Sequence, residues 1–75
     1  MVKLPRLSGK ETIRIISKIG FKPVRQRGSH VFMRKETLEG KITTVVPMHK
    51  EIDRGTLLEI IRQVKLTKEE FLELV

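Results

Sequence analysis

Apolar positions in the first part of the chain recur at helical spacing. Ile13, Ile15, Ile16 and Ile19 fall on one side of a 3.6-residue repeat, and Lys10, Arg14 and Lys18, four apart, line the other. Ser8-Gly9-Lys10-Glu11 marks the start as a capping box: the Ser hydroxyl accepts from the Glu11 amide, and the carboxylate reaches back to the amide of Ser8. Gly20 is placed to end the helix in the left-handed conformation. The pattern predicts an amphipathic helix with one face in the core and a stripe of three cations outside.

The spacing then shortens to that of strands. Phe21-Lys22-Pro23-Val24-Arg25 reads as an edge strand, because Pro23 has no N–H to give to a ladder. Gln26-Arg27-Gly28-Ser29 reads as a turn and His30-Val31-Phe32-Met33-Arg34 as a second strand. Glu36-Thr37-Leu38-Glu39-Gly40 has the polarity of a hairpin loop, and Lys41 to Val46 forms a third strand that Pro47 stops. On the second strand His30, Phe32 and Arg34 alternate with Val31, Met33 and Lys35. Both sets mix apolar with polar residues, so the pattern leaves open which one faces the core.

The helical period returns after Asp53, a cap for a helix through Val64 whose Leu57, Leu58, Ile60, Ile61 and Val64 share a wide face. Thr67-Lys68-Glu69-Glu70 is a second capping box, opening a short helix through Phe71, Leu72 and Leu74. Residues 1–75 therefore read as one α+β domain, helix, three antiparallel strands, helix and short helix, with the helices on one face of the sheet. That order resembles the double-stranded-RNA-binding fold.

Composition changes the picture in two ways. At 75 residues the core is thin, and without cysteine neither a disulfide nor a thiolate metal site reinforces it. The lack of cysteine fits a reducing cytoplasm. No apolar run approaches the roughly 20 residues of a membrane span, and Met1-Val2-Lys3-Leu4-Pro5-Arg6 is too polar for a signal peptide. The net charge is +7, and it is unevenly placed. Residues 1–35 hold ten Lys and Arg against Glu11 alone, whereas residues 36–75 hold six against eight acids. A polyanion such as RNA would be held by the first part, since each cation near a phosphate releases condensed counterions.

The inventory of reactive side chains is short. Two histidines, and neither Tyr nor Trp, leave little for nucleophilic triads. Metal ligation is poorly supplied: Glu51 and Asp53 near His49 are the nearest approach to a cluster. No metal or other cofactor is expected. His30 follows Arg27-Gly28-Ser29 with Arg25 and Arg34 near in sequence. RNA carries its own nucleophile, the 2′-hydroxyl, so its cleavage needs a base, an acid and cations around the phosphate. Imidazole does acid or base work near neutral pH, guanidinium holds phosphate bidentately, and positive neighbours favour a neutral base. Taken alone, the same His also fits a hydrogen-bonded structural residue at a turn. His49 follows the third strand and is a candidate for the acid, for a phosphate contact or for an ordinary loop residue.

Read in order, Leu7-Ser8-Gly9-Lys10-Glu11, Gly20-Phe21, Arg27-Gly28-Ser29-His30, Val46-Pro47-Met48-His49 and Gly55-Thr56-Leu57-Leu58-Glu59-Ile60-Ile61 resemble the HicA (YcfA-like) family of toxins over nearly the whole chain. The resemblance implies a fold like that of double-stranded-RNA-binding domains and an mRNA interferase, an endoribonuclease that cuts transcripts without the ribosome. It implies that His30, the His of the Gly-Ser-His motif, is catalytic, and that His49 is an auxiliary residue. It also implies a HicB-type antitoxin that blocks the site. Lys10, Arg14, Lys18, Arg25, Arg27, Gly28 and Ser29 are the expected RNA contacts. The acids of Lys35-Glu36-Thr37-Leu38-Glu39-Gly40 depart from what suits an RNA backbone, and suggest a loop turned away from RNA or toward the antitoxin. The rival readings are a non-catalytic RNA-binding module of the same fold and a basic face that serves only to dock the antitoxin.

Overall fold

Each helix begins where a polar side chain caps it. The computed structural model describes residues 3–75; Met1 and Val2, the first residues of the polar N-terminal stretch, lie outside the described residues. Helix α1 spans Gly9–Ser17. Ser8 Oγ accepts from the Glu11 amide at 3.1 Å, and Glu11 Oε1 accepts from the Ser8 amide at 2.9 Å. These bonds to Ser8, the backbone one foremost, hold the Glu11 carboxyl below the usual Glu range. Beyond the helix, the Gly20 amide reaches Ser17 O and the Phe21 amide reaches Ile16 O, with Gly20 at the positive φ expected of it.

Strands β1 (Lys22–Arg27), β2 (His30–Thr37) and β3 (Gly40–Pro47) form an antiparallel meander in the order β1-β2-β3. Pro23 lies on the edge strand, as its missing N–H requires, and the ladder is interrupted between Pro23 and Arg25, leaving Val24 exposed.

The turns are shorter than the sequence pattern suggests. Gln26 and Arg27 belong to β1, opposite Val31 and His30, so the turn is Gly28-Ser29 alone. A positive φ at Gly28 and none at Ser29 is the combination that reverses a strand in two residues. The segment 36–40 is likewise mostly strand. Glu36 pairs with Lys41 and Thr37 with Gly40, leaving only Leu38-Glu39 to turn the chain. Its polarity reflects solvent around the hairpin tip, where Leu38 is fully exposed, and opposite charges facing across the ladder stabilise it.

Helix α2 (Arg54–Gln63) starts at Asp53, which accepts from the Thr56 amide at 3.1 Å. Helix α3 (Lys68–Leu74) starts at the Thr67 capping box. The helices cover one face of the sheet. Val31, Met33 and Val46 from the strands meet Ile15, Ile16, Leu57, Ile60, Ile61 and Phe71 in the core. Two buried hydroxyls are satisfied there: Thr12 Oγ1 donates to Ser8 O at 2.9 Å and Thr44 Oγ1 to Gln63 Oε1 at 2.7 Å. The architecture is the α-β-β-β-α sandwich of double-stranded-RNA-binding domains with an extra C-terminal helix. Among the described residues no helix is long and apolar enough to cross a membrane.

Candidate active site

The burial of Val31 and Met33 decides what the alternation of β2 left open. His30, Phe32 and Arg34 point to the other face, the one without helices. His30 opens β2 directly after the Gly28-Ser29 turn and is exposed. Its cross-strand partners are Arg27 on β1 and Pro47 on β3.

The turn is fixed to the exit of β3, because the Met48 amide donates to Ser29 O at 2.6 Å. His49, one residue further, accepts through its carbonyl from the Gly9 amide at 2.9 Å. This last contact needs glycine. A Cβ at residue 9 would lie 2.3 Å from Pro47 O and 2.8 Å from Met48 Cα. The start of α1, the start of β2 and the end of β3 are thus joined by backbone bonds, and His30 and His49 stand one residue either side of the Ser29–Met48 link. The exposed His49 shares a shallow hollow with Ser8, Lys10, Met48 and Lys50.

The expected phosphate contacts divide by position. Arg27 is paired with His30, and Arg25, two pairs further along the ladder, faces Phe32 with its Cζ 5.9 Å from the ring centroid. Lys10 joins His49 at the first turn of α1. Arg14 and Lys18 lie one and two turns beyond, Lys18 about 12 Å along the axis from Lys10. The Lys18 ammonium donates to Leu74 O at 2.6 Å, tying α1 to the end of α3. Gly28 has open space where a Cβ would stand, so another molecule can come close to this turn.

Two residues of this face were not among the expected contacts. Phe32 is half-buried with Val45 opposite it on β3, and Arg34 pairs with Glu36 at 3.4 Å. The signal for both was the two-residue step from His30. It became readable only once the core face of β2 was known.

The carboxylates near His49 in sequence are engaged elsewhere. Glu51 lies 3.8 Å from Arg6, and Asp53 caps α2. The Thr56 hydroxyl, with the Thr56 amide, holds the Asp53 carboxyl below its usual range. Among the described residues no three His, Asp or Glu side chains gather as a metal ion would require. What this end of the sheet offers is imidazole, guanidinium and ammonium groups around an open surface, a combination suited to proton transfer beside a bound phosphate.

The chain matches no curated protein. A family model, that of the HicA toxin of bacterial toxin–antitoxin systems, matches residues 9–66. The match runs from the first residue of α1, across the turn that carries His30, to just past α2, and leaves out α3. With that much of its 75 residues covered, the chain belongs to the HicA toxins of bacterial toxin–antitoxin systems.

Proposed function

We propose that this toxin is an endoribonuclease that cleaves mRNA, with His30 as the general base. The observation that carries the reading is the placement of an exposed imidazole beside Arg27 on the helix-free face of the sheet. His30 takes the proton of a ribose 2′-hydroxyl. The oxygen attacks the adjacent phosphorus, the bond from phosphorus to O5′ breaks, and O5′ takes up a proton. The products are a 2′,3′-cyclic phosphate and a 5′-hydroxyl. Arg25 and Arg27 steady the charge that grows on the phosphoryl oxygens, and His49 is the other imidazole at this end, available to supply the proton to O5′. Lys10 extends the phosphate contacts past His49, with Arg14 and Lys18 further out along α1. Gly28 and Ser29 let the RNA backbone approach the turn. A HicB-type antitoxin silences the enzyme by covering His30. The protein acts in the cytoplasm, where mRNA is found.

The test is incubation of a long RNA with the protein and with His30→Ala, both in EDTA, followed by analysis of fragment ends. The wild type should release fragments with cyclic phosphate and 5′-hydroxyl ends. The folded variant should be slower by a factor of about 100 or more, the usual scale of a lost general base. Cleavage that stops in EDTA, or 5′-phosphate ends, would overturn the mechanism. RNA shifted on a native gel but left intact by both proteins would identify a binding module instead.

A further inference from the structure

We propose that Phe32, with Arg25, is a stacking platform for one unpaired base of the RNA, one step along the strand from the phosphate held at His30. The idea deepens the ribonuclease reading and rests on it for the position of the phosphate. The platform itself is argued from the sheet.

Phe32 is the aromatic residue on the helix-free face. A phenylalanine partly open to water at the middle of a basic surface leaves some apolar area unburied, and a base would cover it. It lies two positions from His30 on the same side of β2, about 7 Å along the strand. That distance is comparable to the step between neighbouring nucleotides in an extended single strand.

Charge selects the occupant. On this face Lys22, Arg25, Arg27, Arg34 and Lys41 stand around Phe32 and His30, placed there by the register of the three strands. Glu36 is the acid on the same face, and Arg34 pairs with it. A polyanion with exposed apolar rings satisfies both features, and unpaired RNA is such a polyanion. A duplex is not, because its bases already stack on one another. The exposed Arg25 guanidinium, 5.9 Å from the Phe32 ring centroid, moves off the ring as the base stacks and takes the phosphate beside it. The sheet therefore selects single-stranded substrate, although the fold is that of domains that grip duplex.

The experiment separates binding from cleavage by using an unstructured RNA oligonucleotide with methylated 2′-hydroxyls, which lacks the nucleophile. Its affinity is measured by fluorescence anisotropy for the wild type, Phe32→Leu and Phe32→Tyr, alongside a duplex of the same sequence. Phe32→Leu should weaken single-strand binding about tenfold, equivalent to about 1.4 kcal/mol. It should leave duplex binding unchanged, and Phe32→Tyr should bind like the wild type. A 2-aminopurine placed in turn at each position should be quenched at one of them on binding wild-type protein. That measurement stands even if Phe32→Leu fails to fold.

Equal affinities for the wild type and Phe32→Leu, an equal loss on single strand and duplex, or no quenching at any position would each overturn the platform. So would unchanged RNA affinity with loss of binding to the antitoxin, which would assign the face to the protein partner. None of these results touches cleavage that depends on His30. Conversely, weakened binding by Phe32→Leu without cleavage by the wild type would sustain the platform and remove the ribonuclease reading.

Discussion

Lys65 holds the least comfortable backbone conformation among the described residues. Its φ of 66° makes it the non-glycine residue there with a positive value. It ends α2 in a glycine-like geometry, its amide reaching Arg62 O at 3.1 Å while the Leu66 amide reaches Ile61 O at 3.2 Å. The left-handed region costs an L-residue about 1–2 kcal/mol. Lys65→Gly should remove that cost, less the extra chain entropy glycine loses on folding, for a net gain of about 0.5–1 kcal/mol. Thermal denaturation should show a midpoint raised by about 4 °C. RNA cleavage should be unchanged, because Lys65 lies by the Thr37–Lys41 hairpin tip and His30 at the other end of the strand. Nothing in the sequence marks this position, since a lysine after a helix reads as an ordinary polar stop. The place of His30 beside Arg27 at the turn was legible because its neighbours along the chain, Arg27, Gly28 and Ser29, are also its neighbours in space. Phe32 was not, because its significance depends on a burial pattern set by α1 and α2.

At the scale of elements, the tightest constraint is the crossing of α1 over the end of β3. Gly9 packs against the backbone of Pro47 and Met48, where neither partner can turn aside as a side chain would. Gly9→Ala should destabilise the fold by about 3 kcal/mol, the upper range for overpacking, read as a lower urea midpoint with unchanged slope. The same substitution made at Gly55, whose nearest neighbour would be an Asp53 oxygen at 3.4 Å, should be far milder. The helix starts were all legible, since Ser8, Asp53 and Thr67 act on amides three residues away. The strand ends were not. Glu36 and Thr37 look like loop until their partners Lys41 and Gly40 are known, and those pairs depend on how sharply the chain turns at Leu38-Glu39. Local chemistry and the antiparallel order of the strands were readable, and where each pairing ends was not.

For the molecule as a whole, the proposed function makes charge the term that governs RNA binding. Binding of an unstructured RNA should weaken with salt, each phosphate contact adding about 0.7 to the slope of log affinity against log salt. Arg25→Gln should make the slope shallower by about that amount in anisotropy titrations over a series of potassium chloride concentrations. Lys18→Gln should change it much less, because that ammonium is already bonded to the end of α3 and stands two helical turns from the His49 end. The bonds that join Gly9 to His49 and Ser29 to Met48 bear on timing as well as shape. They draw on three stretches far apart along the chain, so neither bond can form until those stretches have come together. If His30 is the base as proposed, a chain that stops short of Met48 carries the imidazole without the bond that fixes its turn, and it should leave RNA intact.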